Sequence, residues 1–195
     1  MSTLRTRLIR LAASYPAGTK VRTRLLAVLD QERPRQKKAL QMESNATVIP
    51  VLNGLLRREM TVVNQYMVQH ALCANWGYAK LASLLKSTAI TEMKHAEALI
   101  ERIIYLEAVP EVGQLNEVHI GADVEAQLRN NWATEREAVT LYNAAIALCY
   151  KVGDNGTRSL LEPILVDEER HLDEDQSRIE QIETLGLKNF LAEML

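Results

Sequence analysis

Apolar residues recur at three- and four-residue steps through most of this chain. Between residues 47 and 76, Leu52, Leu55, Leu56, Val62, Val63 and Tyr66 follow helical spacing, and the only helix breakers, Pro50 and Gly54, lie near the start. The pattern predicts a long helix ending near Trp76-Gly77. A second is predicted over residues 78–107, stopping before Pro110, and a third over 123–151, with Gly153 beyond its end. A fourth covers 155–185 and is closed by Gly186, the residue type suited to a helix C-terminus. Pro163 lies inside the fourth pattern, where it removes one backbone donor. Residues 189–195 are enough for one further short helix.

The connections set the topology. The segments 75–79 and 153–156 are short, so the first and second helices, and the third and fourth, are antiparallel neighbours. The segment 108–122 is long and contains Pro110, Gly113 and Gly121. A helix of about 28 residues is about 42 Å long. Fourteen extended residues reach about 46–50 Å. The connection can therefore cross the whole bundle and leave the second and third helices parallel. A lid-like loop between antiparallel helices is the alternative, disfavoured by the length. The expected fold is all-α, a four-helix bundle with one long crossover and a short fifth helix at the C-terminus.

Composition agrees with one globular domain, or one with an appendage. The chain has 195 residues, of which 47% are hydrophobic, which excludes disorder for most of it. Eight Gly and five Pro are too few for a turn-rich all-β fold. Two cysteines make no disulfide framework. No stretch approaches the roughly 18 apolar residues of a membrane span. The net charge of −2 hides an asymmetry. Residues 1–41 carry ten Lys/Arg and two acids, a net +8, whereas residues 42–195 carry thirteen Lys/Arg and twenty-three acids, a net −10.

The candidate chemistry lies in the acidic part. Glu92-Met93-Lys94-His95 is on the second helix and Glu168-Glu169-Arg170-His171 on the fourth. Each gives Glu-x-x-His, with both side chains on one face. Either pair alone reads as solvated helix-face charge. The two pairs, however, are offset by 76 residues, and the same offset carries Glu59 on the first helix onto Glu135 on the third, Tyr66 onto Tyr142, and Leu72-Cys73 onto Leu148-Cys149. The helix pairs form an ungapped internal repeat. Folded about a pseudo-two-fold axis, it would bring four glutamates and two histidines to the centre. Four bare carboxylates in a core would repel one another. Two divalent cations would balance them, and carboxylates with imidazole suit Fe or Mn better than structural Zn. This is the ligand pattern of ferritin-like di-iron and di-manganese bundles.

The same residues carry a family resemblance. Residues 42–195 resemble bacterioferritin, the haem-containing branch of the ferritin-like proteins, essentially without gaps. The specific segments are Asn64-Gln65-Tyr66, Asn75-Trp76-Gly77, Glu92-Met93-Lys94-His95-Ala96, Ile100-Glu101-Arg102-Ile103, the run His119 to Glu125, Asp167 to His171, and Gly186 to Leu191. The resemblance implies iron storage in a hollow shell of two dozen cytoplasmic subunits, with two Fe per subunit. It implies a ferroxidase that oxidises Fe(II) with O2 or H2O2. Glu59 with His95 would hold one iron, Glu135 with His171 the other, and Glu92 and Glu168 would bridge them. It further implies haem b shared between two subunits, and a ferredoxin as electron donor for iron release. Ser87 and Thr91 replace a His and an Asp that bind an extra inner-surface iron in some members, so that accessory route is not expected.

Met93 and Tyr66 have two readings each. At about 100° per residue, Met93 sits roughly 130° from the direction shared by Glu92 and His95 and faces out of the bundle. With Met60, Val63 and Met67, the residues alone suggest an ordinary dimer interface; the resemblance makes Met93 a haem axial ligand. Tyr66 follows Glu59 by seven residues, about 10 Å along the same face. By resemblance it is a tyrosine beside the di-iron centre and an electron donor; otherwise it is a core tyrosine with a satisfied hydroxyl. Tyr142, Cys73 and Cys149 read as core residues.

Residues 1–41 lie outside the resemblance. Leu4, Leu8 and Leu11 share one helical face, and Val21, Leu25, Val28 and Leu29 form a second short stripe, so one or two short amphipathic helices are expected. Residues 31–38 read as a polar, basic linker containing Pro34. The segment could be a docking arm for a partner or for other subunits, an organellar presequence, a ligand for nucleic acid or anionic membrane, or an extension with little function. No base-reading motif favours nucleic acid. Two other functions compete with iron storage. A rubrerythrin-like peroxidase would usually add a Cys-x-x-Cys domain, which this sequence lacks. A non-enzymatic helical protein docking through its arm would bind no iron.

Overall fold

In the computed structural model, the backbone is described for residues 4–195 and side chains for residues 6–29 and 45–195. The described residues form six helices: α1 (Leu4–Ala13), α2 (Lys20–Asn75), α3 (Ala79–Tyr105), α4 (Val124–Val152), α5 (Asn155–Leu185) and α6 (Leu187–Glu193). The chain divides into two compact units, Met1–Ala46 and Thr47–Leu195, with the boundary inside α2. Residues 31–38, read from the sequence as a linker, are helical instead. Gln, Glu, Arg and Lys there are strong helix formers, and the helix runs through Pro34 among them, so the polarity that suggested a loop does not decide. Much of the apolar stripe in the first unit is open, as Leu11, Val21 and Val28 are each more than two-fifths exposed.

The second unit is the expected bundle. α3, α4 and α5 begin and end within two residues of the sequence-based bounds. Asp123 caps α4 by accepting from the Ala126 amide, Asp154 caps α5 by accepting from Thr157, and Gly153 closes α4 in the left-handed conformation. α5 continues through Pro163. Side-chain bonds give the directions. Tyr142 on α4 reaches Glu59 on α2, while Tyr66 reaches Glu135 and Cys73 reaches Gln127, so these two helices are antiparallel. His70 on α2 meets the Ala82 carbonyl just past the turn into α3, so α2 and α3 are also antiparallel. α3 and α4 are therefore parallel, which requires the long crossover.

That crossover is held along α2 by side chains. Asn53 accepts from the Glu111 amide, Thr61 from Asn116 and Gln65 from His119, and Gln69 donates to the Ile120 carbonyl. Backbone groups that lack secondary-structure partners are thus satisfied. Two apolar clusters fill the bundle. One gathers Leu52, Leu56, Leu99, Ile103 and Leu161, and the other Val62, Leu81, Leu128, Ile179 and Phe190 from α6. The polar centre lies between them.

Candidate metal centre

α2 supplies Glu59 to this centre, α3 Glu92 and His95, α4 Glu135, and α5 Glu168 and His171. The four carboxylates are fully buried and the two imidazoles nearly so. One ligand atom from each of Glu59, Glu92, His95 and Glu168 can lie within 4.8 Å of the others, and the same holds for Glu92, Glu135, Glu168 and His171. Two quartets therefore overlap at Glu92 and Glu168. All six residues of the repeat come together.

The two tyrosines cross between the repeats. The Tyr66 hydroxyl donates to Glu135 Oε1 at 2.5 Å, and Tyr142 donates to Glu59 Oε1 at 2.7 Å. Tyr142 is thus a satisfied core tyrosine, but its partner is a residue of the centre. The histidines differ more. His95 turns Nδ1 toward Glu92 and Glu168, at 3.0 and 3.1 Å, and its Nε2 lies 3.3 Å from Asp167. An outer carboxylate of this kind orients a ligating imidazole. His171 places Nδ1 2.8 Å from Glu92 Oε1, while Arg170 donates to its Nε2 at 3.1 Å.

Burial and crowding set the charges. Burial pushes the Glu168 carboxyl well above its usual range, with repulsion from Glu92 and Glu59 adding to it, against the opposing effects of His95 and Arg58. Burial likewise raises Glu59, against the pull of Arg58. Burial opposes a charge on His95, but Glu168 and Glu92 outweigh it and hold the ring protonated up to about 11. Burial would also raise Glu92, yet contact with His171 and His95 keeps it ionised.

Several atoms in this crowd lack an aligned hydrogen bond: Glu92 Oε1, both Glu168 oxygens and His171 Nδ1. Buried polar atoms are rarely left so. They belong to the two quartets, so their unspent lone pairs fit divalent ions held between the helices. The donor set, four carboxylates and two imidazoles, suits iron.

Residues 49–185 match the family model described as a ferritin-like domain. The sequence is 36% identical over 149 residues to a bacterioferritin of Rhodobacter capsulatus, spanning 76% of this chain and 92% of that protein. It is 33% identical over 152 residues to a bacterioferritin of Mycolicibacterium paratuberculosis, spanning 78% and 96%. The chain belongs to the bacterioferritin family. Iron storage is accordingly its function, and all six centre residues lie within the matched span. No helix among the described residues is long and apolar enough to cross a membrane.

In this member of the bacterioferritin family, Met93 stands apart from the centre. It is 53% exposed. It lines an open apolar groove of about 610 Å³ with Met60, Val63, Ala96 and Ile100. Met67 is exposed as well and is not among the residues lining that groove. Cys73 and Cys149 are buried free thiols, pushed up to about 11 by burial.

Two residues at the centre escape a reading based on spacing. The repeat offset pointed at Tyr142, but its role depends on the partner across the bundle. Arg58 carried no signal. It precedes Glu59, and one helical step places it about 100° away from that face. Yet it is buried, 3% exposed, with its guanidinium among the carboxylates.

Proposed function

We propose that this iron-storage protein is a ferroxidase, with Fe(II) oxidised inside each subunit at the centre of α2–α5. The observation that carries the proposal is the pair of overlapping, fully buried Glu/His quartets. Two Fe(II) ions would bind as substrate, one by Glu59 and His95, the other by Glu135 and His171, with Glu92 and Glu168 between them. Each ion gives up one electron, and the pair of electrons with two protons reduces O2 to H2O2, or H2O2 to two waters. The protein holds the ions close together, excludes bulk water with apolar clusters on either side, and offers carboxylates that can move between one- and two-oxygen binding as the charge rises. Tyr66, which donates to Glu135, would return one electron to an Fe(III) of the pair, its hydroxyl proton passing to Glu135.

The wider reading is a cytoplasmic homo-oligomer of 24 subunits enclosing ferric mineral, with a ferredoxin supplying electrons for release. Haem b would sit between two copies, each Met93 donating its thioether to the iron. The groove fits that role, because it is apolar, open on one side and has a half-exposed methionine on its wall. We read residues 1–41 as a docking arm outside the storage fold.

Glu92→Gln and Glu168→Gln test the centre. Each should abolish rapid Fe(II) oxidation, followed by ferric absorbance in stopped flow, while circular dichroism and native mass stay as in the wild type. Wild-type rates in both variants would overturn the proposal.

A further inference from the structure

The six-residue repeat is nearly symmetric, and one residue breaks it. Arg58 lies one position before Glu59; the residue 76 positions on is Thr134. Arg58 Nη1 donates to both oxygens of Glu59, at 3.1 and 3.2 Å. Its Nη2 donates to Glu135 Oε2 at 2.7 Å and to the Thr134 carbonyl at 3.3 Å, and lies 3.4 Å from Glu168 Oε2. One guanidinium therefore spans three of the four carboxylates, including those of both outer ligand positions. Arginine keeps its charge under any ordinary condition. It is also the cation whose flat fork can engage two carboxylates at once.

Charge makes this consequential. Four ionised carboxylates balance two divalent ions. With a buried guanidinium present, one divalent ion leaves the cluster at −1, and two leave it at +1. An uncompensated buried charge is costly. The halves are also unequally prepared. Each outer glutamate has both oxygens engaged, by a tyrosine and by Arg58, but the guanidinium lies closest to Glu135, at 2.7 Å against 3.1 Å for Glu59.

We propose that Arg58 is a resident counter-ion that makes the two metal positions unequal. The Glu59–His95 position fills first, and the Glu135–His171 position fills only when the guanidinium leaves Glu135. The inference rests on the di-iron reading above. Arg58 is a positioning residue, acting through the carboxylates it holds, and it keeps the cluster together when no ion is bound.

The test uses the full-length, metal-free protein titrated with Zn(II) in a calorimeter, which needs no iron chemistry. The wild type should bind two Zn(II) per subunit, the second at least about tenfold more weakly than the first. Arg58→Gln should tighten the second step about tenfold or more and lower the melting temperature of the metal-free form, with added Zn(II) restoring it. Equal steps in the wild type, or a lowered melting temperature with unchanged binding in Arg58→Gln, would overturn the inference. A crystal structure of the Zn-loaded wild type decides the matter even if the variant does not fold. It should show the guanidinium beyond hydrogen-bonding distance of Glu135, and retention of that bond with both ions present would sink the idea. Failure of the wild type to bind any Zn(II) would instead strike the di-iron reading itself.

Discussion

Asp175 is a buried acid four residues beyond His171, at the edge of the centre. Arg178 donates to its Oδ1 at 2.8 Å, and its Oδ2 has no hydrogen-bond partner. Burial pushes its carboxyl up to about 7; Arg178 and His171 oppose this and Glu135 adds to it. Tyr66 also feels its charge. In the unfolded chain an aspartate titrates near 3.9. The folded form therefore holds the proton more tightly, and stability is lost as pH rises from about 4 to about 7, then levels off. Asp175→Asn removes that loss. The melting temperature of the metal-free variant, minus that of the wild type, should climb across this window and stay constant above it. A flat difference would show that Asp175 is ionised in the fold at all these pH values. The wider lesson concerns side-chain reach. Glu59, Glu92, His95, Glu135, Glu168 and His171 were legible because they are short enough to act where their helix face points. Arg58 was not, because a long side chain can turn back across its own face.

The crossover shows what an element needs beyond its length. Its span was readable from residue counts, but its path was not. The path depends on Asn53, Thr61, Gln65 and Gln69, polar residues on α2 that satisfy amides and a carbonyl of the passing chain. Gly121 completes the turn into α4. It has a φ of 85°, and a Cβ there would lie 2.6 Å from the Gln127 backbone nitrogen. Gly121→Ala is strained by its backbone and by this overlap. It should cost about 1–3 kcal/mol, read as a fall in the denaturation midpoint with an unchanged m-value. The helical state of residues 31–38 makes a related point. Polarity and Pro34 suggested a linker, yet the surrounding Gln, Glu, Arg and Lys are strong helix formers and the helix continues through the proline.

At the scale of the whole molecule, the outward face matters as much as the centre. Met93 and its neighbours leave an apolar groove that a single subunit does not close. If two copies share haem across it, Met93→Leu keeps the apolar surface and removes only the sulfur. The purified variant should lose the Soret band while retaining Fe(II) oxidation at the wild-type rate. A Soret band of wild-type strength per subunit would exclude Met93 as the axial ligand. Loss of oxidation along with the haem would mean that groove and centre are not independent. The charge asymmetry belongs to this scale too. The acidic residues in the centre lie within the matched bundle, whereas the basic residues 1–41 lie outside it.

By itself, the sequence determined the class of fold, the order and direction of the four long helices, and the identity of the six glutamates and histidines that converge at the centre. It could do so because those features are periodic, and periodicity survives in one dimension. Tertiary structure alone decided that Tyr66 and Tyr142 cross to the opposite repeat, that Asp167 and Arg170 set the two histidines differently, and that Arg58 enters the centre. Each of these depends on distances between helices that no spacing along one helix encodes.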